Sequence, residues 1–152
     1  MKDTMEQMRN SDMSSNANWN TKDFSNRIDY EVENGYYKLE YNARNKTGSG
    51  MIYQALTVPA QVNARFSIIY QTYRSNNAPT TYNFWARYGT SNRDNTGTNI
   101  VNDSSYQVTN GNGDNTASKT VTVEQTLNAG TYYVKAIVNI TFANKNAAAG
   151  AK

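Results

Sequence analysis

Cysteine and histidine are both absent from the 152 residues, and leucine is reduced to Leu39, Leu56 and Leu127. Without thiols there are no disulfides, no thiolate metal sites and no cysteine nucleophile. Without imidazole there is no histidine acid–base catalysis and no imidazole metal ligand. Compartment therefore does not follow from cysteine usage. No segment approaches the eighteen or so apolar residues of a membrane span, and the N-terminus lacks an apolar signal core. The net charge of +3 is mild and the basic residues form no run, which argues against a nucleic-acid footprint.

What is present is the vocabulary of strands and turns. Twelve tyrosines supply amphipathic area, while Asn, Thr, Ser and Gly are abundant. A hydrophobic content of 38% and a mean hydropathy of −0.81 suit a thin sandwich whose sheets each keep one wet face. The length is that of one ordinary domain. Residues 1–18 carry no period-2 alternation and read as a polar leader, flexible or weakly helical, or as an arm that docks on a neighbouring subunit. Residues 19–152 read as a single β-sandwich.

Strand patterns recur from Trp19 onward. Ile28, Tyr30 and Val32 alternate, Asn34-Gly35 turns, and Tyr37, Leu39, Tyr41 and Ala43 follow, which is a strong hairpin signal. The run NKTGSG reads as a break. Ile52, Gln54, Leu56 and Val58 then share a face, closed by Pro59, and Phe66, Ile68 and Tyr70 share another. In TTYNFWARYG, residues 80–89, Tyr82, Phe84, Ala86 and Tyr88 fall on one side and Asn83, Trp85 and Arg87 on the other. A turn-rich stretch to residue 118 holds one short strand, NIVNDSSYQV. Val121 and Val123 alternate next, Asn128-Ala-Gly130 turns, and Tyr132, Val134, Ala136, Val138, Ile140 and Phe142 fill a face. The tail ANKNAAAGAK shows no strand pattern. About eight strands of similar spacing predict an all-β fold, an antiparallel β-sandwich or jelly roll.

Several of these pieces occur in an order that resembles the galactose-binding-like jelly rolls used as carbohydrate-binding modules. They are Trp19; Gly35 with Tyr37 and Leu39; Gln54-Ala55-Leu56-Thr57-Val58-Pro59; Phe84-Trp85-Ala86-Arg87; and Ala129-Gly130-Thr131-Tyr132-Tyr133-Val134. The resemblance spans residues 19 to about 142. It implies a noncatalytic glycan- or polysaccharide-binding module of a secreted or surface protein. It also implies a structural calcium near a loop. In that family a closing strand pairs beside the first. Here the chain reaches Ala149-Gly150-Ala151-Lys152 where that strand ought to begin, so the sheet is expected to be left open or completed by another segment.

Candidate chemistry follows from which side each strand turns outward. Catalysis would need paired carboxylates or a Ser–Lys arrangement. Glu31 and Glu33, joined by Asp29, make the one suggestive pair, and a solvated strand face explains them equally; no enzyme activity is expected. For calcium the oxygen donors would be Asp94, Asp103 and Asp114, with Asp23 behind them, against ordinary solvated turns. Three sequons, at Asn45, Asn102 and Asn139, matter only where a host glycosylates them. Burying Trp85 would strand Arg87 in the core at high cost, so Asn83, Trp85 and Arg87 are expected outside. The same logic sends Gln71 and Tyr73, and Tyr133 and Lys135, outward on neighbouring strands. If those strands share a sheet, the seven residues form a shallow face of rings, amides and cations on which a sugar stacks. A Tyr-rich outer face without a ligand is the plain alternative. The rival function is a structural or adhesive subunit, such as a phage fibre or extracellular filament component, self-associating through the N-terminal arm or an open sheet edge. The corresponding locations are the extracellular space or cell surface, or a virion.

Overall fold

Alternation of buried and exposed side chains organises twelve strands in a computed structural model that describes residues 8–9, 11–25, 28–33, 35–43, 47–75, 78–93, 96–109, 117–142 and 147–151. In chain order they are β1 (Asn20–Asp23), β2 (Ile28–Glu33), β3 (Tyr36–Ala43), β4 (Thr47–Val58), β5 (Val62–Tyr70), β6 (Thr72–Arg74), β7 (Thr81–Gly89), β8 (Thr98–Asp103), β9 (Gln107–Val108), β10 (Lys119–Leu127), β11 (Gly130–Thr141) and β12 (Ala147–Ala151). No helix occurs among the described residues. The front sheet runs β1-β4-β11-β7-β8 and the back sheet β2-β3-β12-β6-β9. A ribbon of β10 and β5 extends the back layer, because β5 passes into β6 through Gln71 alone. Pairing is antiparallel except between β6 and β9. The protein is an all-β sandwich of the jelly-roll kind.

Aromatic pairs bridge the two layers. Phe66 of β5 stacks on Tyr88 of β7 at 4.6 Å between centroids, and Tyr70 stacks on Phe84 at 4.9 Å. Offset stacks of this kind add about 1 kcal/mol beyond the area they bury. Gly35, at φ 78°, makes the turn between β2 and β3, as its sequence context indicates. Asn34 lies outside the described residues.

Two segments depart from their sequence patterns. Thr47–Gly50 is not a break but the first third of β4, and its small residues are the reason. Gly48 and Gly50 point into the core, where a Cβ would run into the Tyr41 ring and the Tyr30 hydroxyl. Rings from the back sheet thus fill room that glycines in the front sheet leave. The tail is also a strand. β12 lies between β3 and β6, inside the back sheet and not beside the first strand, so the tail is paired on both sides. Ala149 and Ala151 are fully buried against the core, and Gly150 faces outward under the Tyr73 hydroxyl. The strand is masked in the sequence because alanine and glycine are poor β formers whose alternation cannot be seen in hydropathy.

Part of the leader is docked on its own domain. Gln54, buried on β4, accepts the Arg9 N–H through Oε1 at 2.7 Å and donates through Nε2 to the Arg9 carbonyl at 2.9 Å. Met13 and Trp19 pack against the core beside it.

Candidate functional site

The register of the front sheet fixes which residues share its outer face. Trp85 of β7 lies opposite Ile137 of β11, which lies opposite Met51 of β4, which lies opposite Lys22 of β1; Asn102 of β8 flanks Trp85 on the other side. The next row reads Asn20, Tyr53, Lys135, Arg87 and Asn99. Asn83 and Asn139 sit opposite each other one row below Trp85. Trp85, Asn83 and Arg87 are half-buried and point away from the sandwich core, whereas Phe84, Ala86 and Tyr88 are buried between the layers.

This outer face carries an apolar floor of its own. Met51 and Ile137 are fully buried although they point away from the main core. The Arg87 guanidinium lies over the Trp85 ring at 4.5 Å, and its Nε donates to Asn99 Oδ1 at 2.7 Å. Cation–π contact and hydrogen bond together fix a planar cation on a planar ring. Tyr53 meets Tyr133 edge to face at 6.1 Å beyond Lys135. Sequence pattern puts Asn139 on an outward face but singles out neither Tyr53 nor the Asn99 amide. Strand order was the missing information, since only the register sets them beside Trp85.

Three residues expected on that face are elsewhere or sealed. Tyr73 and Gln71 belong to the back layer, on the far side of the sandwich from Trp85, because β5 and β6 do not pair with β7. Tyr73 is fully buried and its hydroxyl donates to Glu40 at 2.6 Å; Gln71 is buried and its Nε2 donates to Ser118 at 3.1 Å. Lys135 is on the correct sheet but only 1% exposed. Its ammonium donates to the main-chain carbonyls of Ser91, Arg93 and Thr96 at 3.0, 2.5 and 2.7 Å. The loop after β7 folds over it, so Lys135 anchors that loop and does not present its charge to solvent. Beside this loop a separate open cavity of ≈ 290 Å³ lies at one end of the sandwich, between Tyr88, Ser91, Thr96, Leu127 and Tyr132.

The acids divide between structure and an opposite face. Asp103 accepts from Lys119 Nζ at 2.7 Å, Tyr70 Oη at 2.8 Å and the Ser105 N–H at 2.8 Å. Burial alone would raise its pKa, but the Lys119 and Ser105 hydrogen bonds outweigh it, with help from Tyr70, and lower it to about 2. Asp23 is occupied in the turn before β2, accepting the N–H groups of Ser25 and Ile28 at 2.9 and 3.2 Å. Asp94 and Asp114 lie outside the described residues. Among the described residues no group of three acidic side chains is placed to hold a metal ion.

On the outer side of the back sheet, Glu31, Glu33 and Glu40 surround Lys38, and Asp29 lies opposite Glu40. Its ammonium lies 3.2 Å from Glu31 and 3.4 Å from Glu33. Burial works against that ammonium, but these carboxylates and Glu40 hold its pKa above the ordinary lysine value. Burial raises the Glu40 carboxyl against the opposing pull of Tyr73 and Lys38. The Glu31–Glu33 pair is therefore a lysine clamp.

An all-β sandwich with a half-buried indole, a guanidinium and a set of amides on one outer sheet face is the class these features define. No protein-family model and no curated protein matches the chain. Solved structures similar to it include TmCBM61 in complex with beta-1,4-galactotriose, at 9% identity over 98% of this chain and 95% of that one, with a TM-score of 0.47. Another is a CBM4 structure at 14% identity, covering 93% of this chain and 94% of that one, with a TM-score of 0.48. A third is the enzymatically active domain of bacteriophage CBA120 tailspike protein 4, at 14% identity, covering 95% of this chain and 20% of that one, with a TM-score of 0.42.

Proposed function

We propose that the protein binds glycan on the outer face of its front sheet and acts as a noncatalytic recognition module of a secreted or surface protein. The observation that carries this reading is the half-buried Trp85, seated on a fully buried Ile137 and bordered by Asn83, Asn102 and Arg87. A sugar ring offers C–H groups to an indole edge or face and hydroxyls to amides that both donate and accept. Tyr53 and Tyr133 extend the platform along the sheet. A rigid strand scaffold suits the task, because the side chains need little ordering on binding.

The rival reading, an assembling fibre or filament subunit, rests on an open sheet edge or on the N-terminal arm as the linking element; β12, paired on both sides, offers no such edge.

Affinity electrophoresis through gels containing neutral and acidic polysaccharides tests the binding reading. Trp85→Ala is expected to lose tenfold or more in affinity, with its thermal midpoint little changed because the ring lies outside the main core. Undiminished retention of Trp85→Ala would remove Trp85 from the site.

A further inference from the structure

The two broad faces of the sandwich carry opposite charge. At the outward positions of the front-sheet strands, the charged residues among those described are Lys22, Arg87 and the loop-covered Lys135, with no Asp or Glu, so Lys22 and Arg87 are the cations that face solvent. At the corresponding positions of the back sheet, the charged residues among those described are Asp29, Glu31, Glu33 and Glu40 with Lys38. The mild net charge of +3 therefore conceals a charge dipole across the sandwich. Such a field draws a polyanion to the front face and turns it from the back.

A second observation concerns the platform itself. Trp85 is not a bare ring, since the Arg87 guanidinium lies over it at 4.5 Å and is held there by Asn99. A ligand approaching the indole meets a pre-positioned planar cation whose geometry matches a carboxylate or sulfate. Lys22 stands in the same cross-strand row as Trp85, three strand spacings away, or about 14 Å. A bound polymer lying across the strands would meet Arg87 near one end and Lys22 near the other, with Asn83, Asn139 and Asn102 reaching its hydroxyls.

We infer that the front face selects an anionic glycan, one bearing uronate carboxylates or sulfate esters, with Arg87 as the anion-reading residue and Lys22 as a second electrostatic contact. This rests on the glycan-binding reading above and deepens it. Amides interleaved with two separated cations suit a hydroxyl-rich polymer of moderate charge. A nucleic acid would call for a denser basic stripe.

The test uses the full chain in affinity gels with matched polymers: polygalacturonate and its methyl ester, carboxymethyl cellulose and hydroxyethyl cellulose, chondroitin sulfate and its desulfated form, with polyglutamate and single-stranded DNA as sugar-free and nucleic-acid polyanions. The expected result is retention by at least one acidic glycan at least tenfold stronger than by its neutral partner. That retention should fall as NaCl rises from 50 to 300 mM, drop tenfold or more in Arg87→Gln, drop less in Lys22→Gln, and stay unchanged in Arg65→Gln on the β5–β10 ribbon. Equal retention by acidic and neutral partners would overturn the anionic preference while leaving the glycan-binding reading intact. Retention by polyglutamate or DNA as strong as by any acidic glycan would overturn the inference in favour of unspecific polyanion binding. No retention by any sugar polymer would overturn both. An unchanged thermal midpoint in each variant separates lost binding from lost fold.

Discussion

Lys135 and Asp103 show how far a side chain's sequence position is from its task. Alternation along β11 gives Lys135 an outward direction correctly, yet three carbonyls of a distant loop close over its ammonium. That loop lies more than thirty-five residues earlier in the chain, and no local pattern announces it. Asp103 looks in sequence like a loop oxygen donor, and in the fold it is the acceptor that joins β8 to Lys119, Tyr70 and Ser105. Its folded pKa of about 2 lies below the ordinary 3.8. A carboxyl lowered on folding stabilises the protein fully above its unfolded pKa, and that stability is lost as pH falls from about 4 through about 2. The difference is worth about 2 kcal/mol. Asp103→Asn is therefore expected to lower unfolding free energy at pH 7 by about that amount and to shrink the gap between the variant and the parent as the pH is lowered towards 2. Urea titrations at pH 7, 4 and 2.5 check it; a gap that stays constant across the series would assign the loss to packing instead of charge.

At the scale of elements, the readable strands were those whose faces differ in hydropathy. β2, β3, β5, β7 and β11 alternate bulky apolar and polar residues, so their buried faces follow directly from period two. β12 and the start of β4 do not, because their inward residues are Gly and Ala chosen for the size of the rings they face. Pairing partners were unreadable for a different reason. β5, β7 and β11 have similar outward sets, and nothing local says that β7 and β11 are neighbours while β5 lies across the core. This split the expected platform, keeping Trp85, Arg87, Asn83 and Tyr133 on one sheet and sending Tyr73 and Gln71 to the other. Gly150 offers a sharp check on the small-residue argument. A Cβ there would press into the Leu39 carbonyl and approach the Tyr73 hydroxyl to 2.9 Å and Glu40 Cα to 3.0 Å. Two of those three atoms are backbone and cannot swing aside. Gly150→Ala is expected to cost about 3 kcal/mol or more, the upper range for overpacking, where an alanine at an ordinary strand position would be neutral or favourable. A thermal midpoint equal to the parent's would mean β12 lies looser than its buried neighbours indicate.

For the whole molecule, the decisive feature is that the last strand sits inside a sheet and not at its margin. β12 pairs Ala147–Ala151 with β3 and Ala149–Ala151 with β6, so removing it opens two facing edges at once and uncovers core around Leu39, Tyr41 and Phe142. Tyr82 also loses the Gly150 carbonyl that its buried hydroxyl donates to. Unpaired edges next to exposed apolar area recruit strands from other chains. A chain lacking residues 147–152 is therefore expected to leave the monomer fraction for dimers or larger assemblies in size-exclusion chromatography with light scattering. A synthetic peptide of residues 143–152 added in excess should return it toward the monomer by filling the vacated place. The peptide's side chains are mostly methyl groups, so its affinity would come chiefly from main-chain hydrogen bonds to β3 and β6, and substituting its Gly150 by valine should abolish the rescue. A shortened chain that stays monomeric at the parent's thermal midpoint would show that the sandwich closes without β12, and with that the reading of β12 as an integral strand of the back sheet would fail.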